Sequence, residues 1–204
     1  MYQMRLLELF SGTGSVRKAV GEKFDEIVSL DILEKFNPTI KSDIMTWNYR
    51  QYPPGYFDCI WASPPCTEYS AVLYGRPDRP RDLDMANAIV QRTIDIIDYF
   101  KPERWFIENP QTGLLKDQEF MWGIPFIDGD YCKYGMPYRK RTRIWTNTDI
   151  EGKTCKKDCG NIENGRHTHA IGNSTYNEYW KRGKEDRLHQ RYSIPAQLIQ
   201  ELFT

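Results

Sequence analysis

Four apolar runs in the first 110 residues each stop at a turn or a polar cluster, and helical spacing fills much of the chain between them. RLLELF (5–10) predicts a buried strand, SGTG turns the chain, and SVRKAVGEKF (15–24) predicts a helix. EIVSLDI (26–32) is a second strand with an acid at its carboxyl end, and YFDCIWASPP (56–65) carries a third. The clearest helix is 83–100, where Ala86, Ile89, Val90, Thr93, Ile94, Ile97 and Phe100 recur at spacings of three and four. Lys101-Pro102 ends it, because the residue before proline is pushed out of the helical region. RWFIENP (104–110) is then another strand. Strands alternating with helical crossovers make a mostly parallel sheet with helices on both faces. Beyond Gly113 the pattern loosens: YCKYG and RTRIWTN predict strands, and IPAQLIQELF (194–203) a closing amphipathic helix with proline near its start.

With 204 residues, the chain has room for one domain with a substantial core. Its organisation is expected to be a core over 1–146, a small basic insert containing Cys and His over 147–190, and a helix over 191–204 that returns to the core. Formal net charge is zero, yet residues 1–130 carry 14 basic and 20 acidic side chains and residues 131–204 carry 14 and 8. A basic final third suits a polyanionic partner. No long apolar run predicts a membrane span, and MYQMRLLELFSGTGS lacks the layout of a signal peptide. Five cysteines without the dense spacing of a secreted scaffold point to a reducing, cytoplasmic compartment.

In an open parallel sheet, ligands bind beyond the carboxyl ends of the strands. The first strand delivers Phe10-Ser11-Gly12-Thr13-Gly14 there, a turn whose glycines allow close approach of a ligand to backbone. The second delivers Asp31 and Ile32, and an acid at that place can hold both hydroxyls of a ribose. Asp43-Ile44 follows, a second acid suited to an adenine amino group. The third glycine of the dinucleotide fingerprint is missing, which argues against a nicotinamide cofactor. The next strand ends in Pro64-Pro65-Cys66, where two prolines stiffen a loop around one thiol. Cys59, inside that strand, is the better core thiol. Glu108-Asn109 closes the strand after it, and Arg139, Arg141 and Arg143 alternate so that an extended backbone puts them on one face.

In this order, LELFSGTGSV, SPPC, IEN, RTRIW and IPAQL resemble the cofactor loop, nucleophile loop, Glu-Asn motif, Arg-x-Arg strand and last motif of the DNA cytosine-5 methyltransferases, over nearly the whole chain. The resemblance implies an α/β, Rossmann-like fold of the S-adenosylmethionine-dependent methyltransferases. It implies S-adenosylmethionine as methyl donor and a cytosine flipped out of double-stranded DNA as substrate. Phe10, Ser11, Gly12, Thr13, Gly14, Asp31, Ile32, Asp43, Ile44 and Pro65 would then hold the cofactor. Carbon-5 of cytosine is a poor nucleophile until a thiolate adds to carbon-6, which assigns Cys66 as nucleophile. Glu108, with a raised pKa, would act at ring nitrogen-3, Arg143 would place a cation at the exocyclic oxygen, and Arg141 would bind a nearby phosphate or help orient the site.

Pro110 and Thr67 stand where that family commonly has valine and glutamine, and only about 50 residues separate Arg143 from IPAQL, too few for the usual target-recognition domain. Recognition is therefore expected from the insert, from the Tyr69–Arg81 loop or from a partner chain. Three alternatives stay open: the same chemistry on RNA, methylation of an exocyclic amine, for which SPP fits but Cys66 replaces the stacking aromatic, and a binding module that has lost turnover. In the insert, Cys155, Cys159, His167 and His169 form a set acceptable to structural zinc, with Cys132 competing as a ligand.

Overall fold

The computed structural model describes residues 3–71, 73, 78–169 and 192–204. Seven strands form one sheet: β1 (Arg5–Leu9), β2 (Glu26–Asp31), β3 (Ile40–Lys41), β4 (Cys59–Ala62), β5 (Arg104–Pro110), β6 (Phe126–Asp130) and β7 (Arg141–Thr146), in the order β3-β2-β1-β4-β5-β7-β6. The first five strands run parallel; β7 is antiparallel to both β5 and β6.

Alternation along the strands sends side chains to two separate cores. Leu7, Leu9, Ile60, Ala62, Ile107 and Trp145 face α2 (Leu83–Phe100), where Ala86, Val90, Ile96, Ile97 and Phe100 are buried. Leu6, Cys59, Trp61, Phe106 and Ile144 face α1 (Ser15–Val20) and α3 (Ala196–Leu202). Helix α2 starts where the Asp82 carboxylate accepts the Met85 N–H at 3.0 Å and ends at Lys101 in the left-handed region, just before Pro102. The sheet and its helices on both faces match the α/β expectation. Among the described residues no helix is long and apolar enough to cross a membrane.

Two local expectations change. The helix expected over 15–24 stops at Val20, and Gly21–Lys23 forms a separate 3-10 turn. YCKYG is a 3-10 turn, Tyr131–Tyr134, closed by Gly135 at φ 85°. The strand in this region is FIDGD instead, whose glycine and aspartates disfavour strands on propensity. Its position at the sheet edge resolves the conflict, since Asp128 and Asp130 pair there with the arginines of β7 and its approach. In the insert, β8 (Ile162–Glu163) and β9 (Arg166–His167) make a hairpin whose turn residues Asn164 and Gly165 both have positive φ. The Tyr69–Arg81 loop at 72 and 74–77, and the insert beyond residue 169, lie outside the described residues.

One charged group interrupts the α1 side of β1. Glu8 is 2% exposed. Its Oε1 accepts the Val16 N–H at 3.3 Å, and its Oε2 is buried with no hydrogen-bond partner among the described residues. Burial pushes its carboxyl up to about 7, against the opposing Val16 N–H and Arg17 charge. The folded state therefore holds this proton more tightly than the unfolded chain, whose value is 4.5. That contribution to stability is complete below the unfolded value and is lost as pH rises through the folded one. Glu8→Gln is expected to remove this loss: between about pH 5 and pH 8 the unfolding free energy of the native chain should fall relative to the variant by up to about 3 kcal/mol. Urea unfolding at several pH values checks it, and parallel profiles would contradict it.

Candidate active site

The shared direction of β1, β2, β4 and β5 brings their carboxyl ends to one edge. Leu9 lies level with Leu30 and Ala62, and Ala62 with Ile107, so the segments that follow start at one height. The glycine turn after β1 is tightly wound: Phe10, Gly12 and Gly14 have φ of 57°, 43° and 66°. Asp31 pins it, taking the Gly12 N–H on Oδ2 and the Leu33 N–H on Oδ1, both at 2.8 Å. Among the described residues a Cβ on Gly12 would meet only the Phe10 carbonyl, at 3.7 Å, which leaves room there for a ligand. Ile32 beside it is 59% exposed, an apolar face at the mouth of the turn. Asp43 is exposed and takes the Met45 N–H, whereas the Ile44 side chain is buried in the α2-side core. Ser11 and Thr13 are buried within the turn, and Pro65 is exposed.

The proline loop is clamped at both ends. The Ser63 N–H donates to the Leu9 carbonyl, and the fully buried Asn109 donates from Nδ2 to the Pro64 carbonyl at 3.0 Å. At the far side, the Leu114 N–H donates to the Tyr69 carbonyl, and the Tyr69 hydroxyl donates to Asn87. Gly113 permits this approach: a Cβ there would stand 3.2 Å from the Pro110 carbonyl and 3.3 Å from that of Tyr69. Cys66 is held between the clamps, half-buried. Burial pushes its thiol up; the Glu108 charge adds to that shift and the Lys140 charge opposes it.

Glu108 is buried, and its Oε1 accepts from the Thr142 hydroxyl and, at 3.3 Å, from the Tyr131 hydroxyl. Lys140 Nζ lies 3.8 Å from the same oxygen and donates to the Tyr131 hydroxyl at 3.2 Å. Burial and the Glu108 charge hold the Tyr131 phenol well above its ordinary value, so it remains a donor. Arg143 is not part of this cluster. Register pairs Asn109 with Arg143 and Glu108 with Ile144, so Arg143 shares a face with Asn109 and Thr142 shares the other with Glu108. The Arg143 guanidinium instead makes two bonds to Asp128, 2.7 and 2.8 Å, and lies 3.5 Å from the centroid of the Phe126 ring. Arg141 is exposed on that same face, in a cleft of about 270 Å³ it shares with Gln111, Asp128 and Arg139. The cation beside Glu108 is thus Lys140, from the segment that enters β7. Lys140, Tyr131 and Thr142 went unnoticed in the sequence; the only signal was that Thr142 sits between the two arginines.

In the insert, Cys132, Cys155, Cys159 and His167 come together, with their ligand atoms within 4.8 Å of one another. His169, expected as a ligand, instead bonds through Nδ1 to the Thr168 hydroxyl at 2.9 Å and lies outside this group.

A relative in Frog virus 3 (isolate Goorha), named probable DNA (cytosine-5)-methyltransferase, is 36% identical over 220 residues, covering 98% of each chain. This chain belongs to the DNA cytosine-5 methyltransferase family. No family model matches it. Solved structures show the same fold at low identity. A prophage-encoded DNA modification methyltransferase from E. coli superposes with a TM-score of 0.53 at 17% identity, over 70% of this chain and 46% of that one. The Entamoeba histolytica methyltransferase EhMeth gives 0.53 at 18%, over 76% and 58%, and S. pombe Dnmt2 gives 0.51 at 18%, over 76% and 54%. The chain therefore spans about half the length of these three solved proteins, while it matches its viral relative end to end.

The electrostatics of the cluster make a direct forecast. Removing the Glu108 charge in Glu108→Gln should lower the Cys66 thiol value and speed its alkylation by iodoacetamide severalfold at about pH 8. Lys140→Met should slow it. Peptide mapping isolates Cys66 from the other four cysteines; a rate indifferent to both changes would show that neither charge reaches the thiol.

Proposed function

We propose that this chain transfers a methyl group from S-adenosylmethionine to carbon-5 of a cytosine flipped out of DNA, through a covalent bond to Cys66. The observation that carries this reading is a clamped, half-buried thiol that feels the charge of a buried carboxylate, at the sheet edge that also holds the glycine turn.

Family membership implies S-adenosylmethionine, and the turn fits it. Asp31 spends one lone pair of each oxygen on the backbone and keeps others for ribose hydroxyls. Exposed Ile32 offers an apolar face to the adenine. Gly12 leaves the space for the ligand. When bound, the cofactor supplies the methyl group and nothing else.

The rest falls to this chain's own side chains. Cys66 rests as a protonated thiol, because burial and Glu108 both disfavour its charge. The thiol gives its proton to water as its sulfur bonds to carbon-6, and the ring π electrons shift toward nitrogen-3, leaving an enamine whose carbon-5 can take the methyl group. Glu108, protonated from solvent when the base is bound, donates that proton to nitrogen-3 as negative charge grows there and takes it back when the adduct collapses. Two hydroxyl donors fix its Oε1, which sets the orientation of the carboxyl toward the ring. Lys140 provides the nearby positive charge that Arg143, committed to Asp128, does not. After methylation, the carbon-5 proton leaves to water and the carbon–sulfur bond breaks, restoring Cys66. Exposed Arg141 is left for the phosphate backbone.

The test is incubation of the full chain with labelled S-adenosylmethionine and mixed-sequence DNA or RNA, followed by nucleoside analysis. Label is expected in 5-methylcytosine from DNA, and Cys66→Ser should reduce it by roughly 10³-fold or more. DNA carrying 5-fluorocytosine should trap a covalent complex with the native chain and none with that variant. Label on adenine, or an adduct that survives loss of the Cys66 sulfur, would overturn the mechanism. A further arm separates the two cations: Lys140→Met should cost roughly 10²-fold or more in turnover and Arg143→Met less. The reverse order would return the role to Arg143.

A further inference from the structure

The described part of the insert, residues 153–169, has little to bury. Cys155 is its one buried hydrophobic residue and Ile162 only half-buried, while most of the rest is charged, polar or glycine. Apolar packing cannot hold so polar a segment in one conformation. Its chain nevertheless follows a defined path. Lys157 and Gly160 take φ of 69° and 79° to fold the Cys155–Cys159 turn back on itself, and Asn164-Gly165 reverses the hairpin that carries His167. Both devices deliver ligand atoms to one point on the β6–β7 connection, where Cys132 is buried.

We infer that Cys132, Cys155, Cys159 and His167 bind one structural zinc ion, which fastens the insert to the turn that carries Tyr131. Three observations agree on it. The four ligand atoms lie within 4.8 Å of one another. Cys155 Sγ and His167 Nε2 stand 3.5 Å apart, and a tetrahedral site with bonds of ~2.3 Å to sulfur and ~2.0 Å to nitrogen places two such ligands about 3.5 Å apart. The Lys157 N–H donates to Cys155 Sγ at 3.3 Å, a bond that orients a metal-bound sulfur and stabilises its charge. Three thiolates and one imidazole select zinc over hard cations, and four protein ligands close the site against substrate.

The bonds around the site show what it would hold. The Cys155 N–H donates to Asp130 Oδ2 at 2.6 Å, and Arg139 binds the same oxygen at 2.9 Å. Lys133 pairs with Asp158 at 3.0 Å across the two segments. Cys132 follows Tyr131 directly, and the Tyr131 hydroxyl reaches Glu108. The metal therefore secures the same turn that supplies one of the two donors on the Glu108 carboxylate. This last consequence rests on the function proposed above; the site itself does not.

The experiment uses the full chain purified under reducing conditions with zinc present. Elemental analysis should find about one zinc per chain. Cobalt exchanged for zinc should show the intense visible absorption of a tetrahedral, sulfur-rich site. With zinc bound, Cys132, Cys155 and Cys159 should resist alkylation while Cys66 reacts, and a chelator should expose all three. His169→Ala should keep the metal, and Cys132→Ser or Cys159→Ser should lose it. Chelation is expected to lower the thermal midpoint without any substitution, so the result stands if a variant fails to fold. Substoichiometric metal, a disulfide between two of these cysteines, or retention in Cys132→Ser with loss in His169→Ala would each overturn the assignment. None of these readouts involves methyl transfer, so the metal site and the proposed reaction can fail independently.

Discussion

Everything in the candidate site depends on a common strand direction. Parallel neighbours cannot be joined by hairpins, so each connection crosses over and each strand finishes at the same edge. That geometry collects the glycine turn, Asp31, the proline loop and Glu108 from stretches of sequence spread over about a hundred residues. The reversed strand β7 then adds what the parallel strands cannot. It approaches β5 from the opposite direction, and so Lys140 and Thr142 arrive at Glu108 from their own side of the sheet.

Rigidity at this edge comes from backbone acceptors. Two prolines leave the loop with fewer N–H groups to satisfy, and the Pro64 carbonyl is taken by the buried amide of Asn109. Glu108 and Asn109 are adjacent and point to opposite faces, so one strand end supplies the carboxyl on one side and the clamp for the thiol loop on the other. The thiol so held carries opposing influences: burial and Glu108 favour the protonated form, and Lys140 favours the thiolate. The balance between these groups sets how readily the Cys66 sulfur ionises.

The polar appendage meets a different constraint. Its described part, residues 153–169, has almost no apolar surface and so no hydrophobic reason of its own to stay on the sheet. Asp130, at the end of edge strand β6, gathers the Cys155 N–H and Arg139, and the cysteine and histidine cluster closes around Cys132. The same aspartate-rich strand that looks poor on propensity is thereby the dock for the insert.

Much of this was legible beforehand. Apolar periodicity gave α2 its bounds at 83 and 100 and β5 its bounds at 104 and 110, since period and cap residues are local properties of the chain. YCKYG predicts a strand that FIDGD forms instead, because edge position, which tolerates Gly and Asp, is not a local property of the sequence. Alternation put Arg141 and Arg143 on one face of a strand, as spacing alone requires; it could not say which face, because that depends on register against β5. Likewise the sequence supplied the cysteines and histidines of the insert, while the choice of Cys132 over His169 came from the fold of β6, its turn and a hairpin. The chain by itself determined which chemistries are at hand and which edge of the sheet they occupy. Only tertiary structure decided which cation stands by Glu108, because side-chain direction across a sheet is fixed by strand pairing and not by the order of residues.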